Sequence, residues 1–225
     1  HHHMTKIVHP YAHRLGITKD WKSRWFSLNA DFRKHFKGDI LMREWLEKNL
    51  KGQFVGLVEI ERNTKVIKVI INTSRPGIVI GKSGDGVIKI KAALEKILIK
   101  KALEVKPNLQ IEVVEIKNAE GNASIVSQMI AEGIEKRLPY RRVLKQMVEK
   151  VMAIKDIQGV RVYLGGRLGG ADMARSEEIK RGRVPLQTLR ANIDFARNKA
   201  HMLYGDIGIK VWIYKGDIFD KGLTR

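Results

Sequence analysis

Hydrophobic spacing changes period repeatedly along this chain, and that alternation limits the folds open to it. Two β-rich runs, residues 54–62 and 65–73, flank Asn63 and Thr64 and predict a hairpin. After Gly84 the apolar positions Val87, Ile90, Leu94 and Ile97 recur at three and four residues with charged residues between them, as an amphipathic helix requires. Pro107 stops that pattern, and Leu109, Ile111 and Val113 alternate as a third strand. Past the polar stretch 117–122 two helical stripes follow: Val126, Met129, Ile130 and Ile134, then Leu144, Met147, Val148, Val151 and Met152, with Pro139 opening the second helix. From Gly159 the period becomes two, in Val160, Val162 and Leu164 and again in Ile207, Ile209, Val211 and Ile213, with residues 172–183 and 186–198 as two arginine-rich strands between. The pattern predicts an α/β (α+β) protein. An N-terminal arm spans 4–38 and a first domain spans 39–117, opening with a helix near 39–50. A second domain over 118–216 lays two helices on a mostly antiparallel sheet of about four strands, and 217–225 form a tail.

Charge bears on what such a fold meets. The 43 Lys and Arg against 24 Asp and Glu leave a formal charge of +19. The excess is spread as +5 over residues 1–50, +5 over 51–115 and +9 over 116–225. A chain basic along its whole length points to polyanion contacted at several surfaces. Its 44% apolar content is enough for a packed core and unlike that of a disordered basic tail. Cysteine is absent, which excludes disulfides, thiolate nucleophiles and Cys-ligated metals and fits a reducing compartment. The three histidines before Met4 read as the remnant of a purification tag, and His9, His13, His35 and His201 are too scattered for a metal site. No apolar run approaches the roughly 18 residues of a membrane span. Residues 5–10 lack the apolar core of a secretory leader, so no membrane partner is expected.

Gly81-Lys82-Ser83-Gly84 has the GxxG form with which KH domains clamp a nucleic-acid backbone. With 20 glycines in 225 residues, chance supplies about two such spacings, and Gly166 to Gly169 and Gly205 to Gly208 are two others. Only the first lies between an apolar segment, Gly77-Ile78-Val79-Ile80, and a strongly amphipathic helix, where free N–H groups and the helix dipole attract phosphate. A P-loop reading fails by one residue: three residues, not four, separate Gly77 from Gly81-Lys82-Ser83, with Pro76 where the earlier glycine belongs. Gly81, Gly84 and Gly86 likewise miss the dinucleotide fingerprint, and no GxSxG or HExxH occurs. No catalytic residue, metal ligand or cofactor site is therefore expected.

The densest basic run is residues 136–145, KRLPYRRVLK. Helical geometry places Arg141, Arg142 and Lys145 within an arc of about 100° beside the apolar stripe. Arg141 has no acid at i+4, Lys145 standing there, so these like charges look to an external anion.

Longer motifs carry a resemblance. Val8-His9-Pro10, Arg14-Leu15-Gly16-Ile17, Trp21-Lys22-Ser23-Arg24-Trp25-Phe26, Arg75 through Gly84, Gly166-Arg167-Leu168-Gly169-Gly170-Ala171, Gly182-Arg183-Val184-Pro185-Leu186 and Tyr204 through Ile213 occur in order. Together they resemble the bacterial form of the small ribosomal subunit protein three family. The resemblance implies that the first domain is a type II KH domain, that the second is the family's own α/β domain, and that both sit in the subunit head in the cytoplasm. It implies RNA binding by Arg75, Gly81, Lys82, Ser83 and Gly84 of the KH loop. Head-domain rRNA would be met by Lys6, His9, Arg14, Lys136, Arg137, Arg167, Arg175, Arg181, Arg183 and Arg190. Arg141, Arg142 and Lys145 would touch mRNA where it enters. Implied neighbours are small-subunit proteins ten and fourteen, with proteins four and five at the mRNA channel. Glu178-Ile179-Lys180 departs from the aromatic residues the family often carries there. Trp21, Trp25 and Trp45 suit either stacking on bases or anchoring the arm to protein. The alternative function is a free-standing KH regulator of selected RNAs.

Overall fold

The computed structural model describes residues 8–101, 103 and 107–219. In chain order the elements are α1 (Pro10–His13), β1 (Ser23–Arg24), α2 (Asn29–Asn49), β2 (Val55–Arg62), β3 (Ile67–Thr73), α3 (Pro76–Ile80), α4 (Asp85–Lys100), β4 (Leu109–Glu115), α5 (Ala123–Glu135), α6 (Tyr140–Met152), β5 (Gly159–Gly166), β6 (Arg175–Gly182), β7 (Ala191–Met202) and β8 (Gly205–Asp217). They form two compact units. One is Lys22–Asn118; the other joins the N-terminal segment through Trp21 to the chain from Ala119 onward.

In the Lys22–Asn118 unit the sheet order is β1-β2-β3-β4. β2 and β3 pair antiparallel with Ile60 opposite Val69, and β4 lies parallel to β3 with Ile67 opposite Leu109. Alternation on β3 buries Ile67, Val69 and Ile71 on one face, where Met42 and Leu46 of α2 and Ile90, Leu94 and Leu98 of α4 close the core. The order helix, strand, strand, helix, helix, strand is the arrangement a KH domain implies.

Helix α2 begins at Asn29, ten residues before the expected start near 39. Its first turns bury no apolar stripe: Phe32 and Phe36 are 47% and 52% exposed and stack on each other, so the amphipathic signal starts only where Met42 and Leu46 enter the core. The arm expected over 4–38 is therefore not one piece, since residues 8–21 pack with the other unit. A buried ion pair ties α2 to β2. Arg62 meets Asp39 at 2.8 Å with side chains 5% and 6% exposed, and the second Asp39 oxygen accepts from Trp25 Nε1 at 2.7 Å. Gly38 keeps that space open, because a Cβ there would lie 3.0 Å from Arg62 Nη2.

The second unit holds a four-stranded sheet of order β6-β5-β8-β7 with every neighbouring pair antiparallel. Val160, Val162, Leu164, Ile209, Val211 and Ile213 face α5 and α6, whose stripes supply Val126, Ile130, Leu144, Met147 and Val151. The alternate residues form a second, smaller cluster of Ala191, Ile193, Trp212 and Tyr214. Near it the N-terminal segment is fastened: His9 meets Phe195 edge-on at 4.8 Å, and Lys19 Nζ donates to Asn192 Oδ1 at 2.8 Å.

Candidate nucleic-acid interface

The KH-type loop forms where two helices of the first unit meet. Pro76 occupies the first position of α3, where its missing N–H is no loss. Gly81 leaves α3 at φ 72°, Lys82-Ser83-Gly84 make one tight turn with Ser83 at φ 54°, and Gly84 at φ 85° opens α4. Gly81 and Gly84 supply a left-handed conformation that other residues resist. Gly86 serves packing instead, since a Cβ there would stand 2.3 Å from the Val79 carbonyl oxygen. No side chain caps α4; the Asp85 N–H turns back to the Lys82 carbonyl, while the positive end of the helix dipole and the exposed Lys82 and Ser83 still draw an anion to this turn. Asp85 stands in the same first turn and opposes part of that attraction. Arg75 lies just before α3 with its guanidinium 4.4 Å over the Phe54 ring.

Ile78 and Ile88, 53% and 64% exposed on the helices flanking the loop, add apolar surface against which bases can lie. Ile88 was legible in part, because it falls off the stripe of Val87, Ile90, Leu94 and Ile97. The segment before Gly81 is a helix, so the strand that leads into a P-loop is missing there. The competing spacings resolve the same way: Gly166 to Gly169 leaves strand β5, and Gly205 to Gly208 lies inside β8.

The ridge on α6 divides. Arg141 is not left to an external anion: Glu177 of β6 accepts from its Nη2 at 2.8 Å and from its Nε at 3.3 Å. The partner comes from a neighbouring strand, which helix spacing cannot reveal. Tyr140 donates to Glu177 at 2.9 Å and accepts from Arg175 Nη2 at 2.9 Å, so Arg175 belongs to the same cluster. The Arg141 guanidinium, with help from the Tyr140 hydroxyl, holds the Glu177 carboxyl below its ordinary range, and Glu177 raises Arg141 in turn. Arg142 and Lys145 are exposed and have no partner among the described residues.

The other expected rRNA contacts fare differently. Arg14 is fully buried, and its guanidinium donates to the carbonyls of Pro10 (3.1 Å), Pro185 (3.5 Å), Leu186 (2.9 Å), Thr188 (2.9 Å) and Ala191 (2.8 Å). This corrects the expectation: Arg14 clamps the N-terminal segment to the turn before β7 and has no donor to offer RNA. Arg167 is half-buried, bonded to the Ala171 carbonyl at 2.9 Å and lying 5.6 Å from the Tyr204 ring, so it braces two loops. His9, Lys136, Arg137, Arg175, Arg181, Arg183 and Arg190 are exposed. Of these, Lys136 pairs with Glu132, Arg181 with Glu149 and Arg190 with Asp217. Arg137 holds a left-handed φ of 60° just past α5. Lys6 lies outside the described residues. Trp25 bonds Asp39 and Trp45 packs on the core, which anchors both to protein, while Trp21 is 61% exposed.

Residues 41–121 match the family described as KH domain, and residues 130–213 match Ribosomal protein S3, C-terminal domain. Small ribosomal subunit protein uS3 of Caldicellulosiruptor saccharolyticus is 45% identical over 215 residues, 96% of this chain and 94% of that protein. The chain belongs to this ribosomal protein family. Small ribosomal subunit protein uS3 of Photobacterium profundum is also 45% identical over 215 residues, 96% of this chain and 90% of its own. That of Shewanella amazonensis is 44% identical over 222 residues, 99% of this chain and 93% of its own. The matched families give the glycine loop and the α6 ridge separate homes, one in each unit.

Proposed function

We propose that the protein is a non-catalytic constituent of the small ribosomal subunit in the cytoplasm, binding rRNA of the subunit head and lining the channel through which mRNA arrives. Proteins ten and fourteen are its neighbours in the head, and proteins four and five stand with it at the channel. The observation that carries the mRNA role is the pair Arg142 and Lys145, exposed on one face of a packed helix with no carboxylate partner among the described residues. Helix α6 is held by Val143, Leu144, Met147, Val148 and Val151 in the core, so these cations keep a fixed position against a passing phosphate chain. Arg141, already neutralised by Glu177, gives the ridge rigidity and can exchange its carboxylate for phosphate. No nucleotide is consumed here: cations hold the phosphates of separated strands while translocation supplies the work.

Arg142→Gln with Lys145→Gln tests this. The double variant is expected to assemble normally and to slow translation through a stable mRNA hairpin more than through unstructured message, because two phosphate contacts are lost where strands separate. Equal rates for variant and parent, or equal slowing on both templates, contradicts the role.

A further inference from the structure

The sheet of the second unit has an outer face, opposite α5 and α6, that the KH loop and the α6 ridge do not involve. We infer that this face is a further polynucleotide surface, a phosphate track crossing the bare backbone of Gly208 between Lys180, Arg197, Lys199 and Lys210. The inference rests on the reading of the chain as an RNA-binding protein and adds a second site to it.

Register assembles the patch. Tyr163, Lys210 and Arg197 align across β5, β8 and β7, and Gly165, Gly208 and Lys199 align in the next row. Lys180 lies opposite Arg161 on the far edge. With strands about 4.8 Å apart, these positions frame a patch roughly 15 Å across. The acids there are already engaged: Glu178 meets Arg161 at 2.7 Å, and Asp206 is shared by His201 at 2.8 Å and Lys199 at 3.8 Å. Lys180 and Arg197 are exposed with no partner among the described residues. The Lys210 ammonium lies 5.4 Å from the Tyr163 ring centre.

A further observation points to an outside chain. Gly208 has no conformational or packing need to be glycine. Its φ is not positive, and a Cβ would meet only the Gly165 carbonyl oxygen, at 3.7 Å. A glycine without an internal reason, in the middle of a cationic sheet face, suits the close approach of another chain. Lysine is depleted from protein interfaces, whereas mobile ammonium groups with an interleaved aromatic ring suit a phosphate backbone read without base choice.

The full chain carrying Arg197→Gln, Lys199→Gln and Lys210→Gln should bind poly(U) with a log K against log salt slope shallower by about two, three contacts at about 0.7 each. Gly208→Glu, which keeps every cation, should weaken poly(U) binding about tenfold or more by placing a carboxylate in the track. Lys82→Asp with Ser83→Asp, in the KH loop, should weaken binding independently. An unchanged slope and affinity in the outer-face variants, with the KH-loop variant still weakened, overturns the track and leaves the RNA-binding reading standing. Salt-independent binding by the parent chain overturns both. A loss confined to poly-glutamate, with poly(U) unaffected, assigns the face to acidic protein and overturns the track as well.

Discussion

Asp39→Ala is expected to cost the Lys22–Asn118 unit roughly 3–5 kcal/mol, because it strands a buried guanidinium. Arg62 is 5% exposed at its side chain and meets the Asp39 carboxylate through Nε and Nη2, both at 2.8 Å. An arginine cannot escape by losing its proton, so the uncompensated charge stays in the core or tears a path to water. The same substitution orphans Trp25 Nε1, which donates to the other carboxylate oxygen. Against a typical total of about 5–15 kcal/mol, that is a large share, and in a unit of this size it lowers the melting temperature by roughly ten degrees or more. Adding Arg62→Met should return much of the loss, since removing both members of a buried pair is often close to neutral. Thermal denaturation of the two variants is the check. A single-variant loss under about 1 kcal/mol, or a double variant worse than the single one, contradicts the buried pair.

Arg14→Met should be the most damaging change in the N-terminal segment. It removes the donor to five carbonyls at once, and those deepest, on Pro10 and Ala191, lose their partner where water does not easily replace it. A loss of about 3 kcal/mol is expected, with faster amide exchange over residues 10–19. Arg14→Lys should fare little better, because one ammonium cannot span the fork that reaches Leu186, Thr188 and Ala191 together. Normal stability with weakened RNA affinity would instead restore Arg14 as an rRNA contact.

These two residues also mark where sequence reading stops. Strands and helices with one buried face were legible, as on β3, where Ile67, Val69 and Ile71 alternate, and on α4, where Ile90 and Leu94 of the expected stripe are buried, although Leu98 and not Ile97 completes the buried face. The glycine loop was legible from its flanks, and Arg142 and Lys145 from helical periodicity. What escaped depends on contacts distant in sequence. Nothing local says that Arg14 will meet carbonyls of residues 185–191, or that Glu177 will pair with Arg141 from another element. The front of α2 escaped for a different reason: with Phe32 and Phe36 left exposed, it has no buried stripe to announce it. The outer sheet face hid because its cations come from three strands and gather only once the register is known.

As a part of the small subunit, this polycation should hold RNA through surfaces on both of its units. Sucrose-gradient sedimentation of the tagged protein, expressed in cells and followed across the ribosomal fractions, tests it most directly. The protein should travel with small subunits and intact ribosomes, and leave them only when salt is raised enough to displace its phosphate contacts. Recovery at the top of the gradient at low salt, free of RNA, would contradict it.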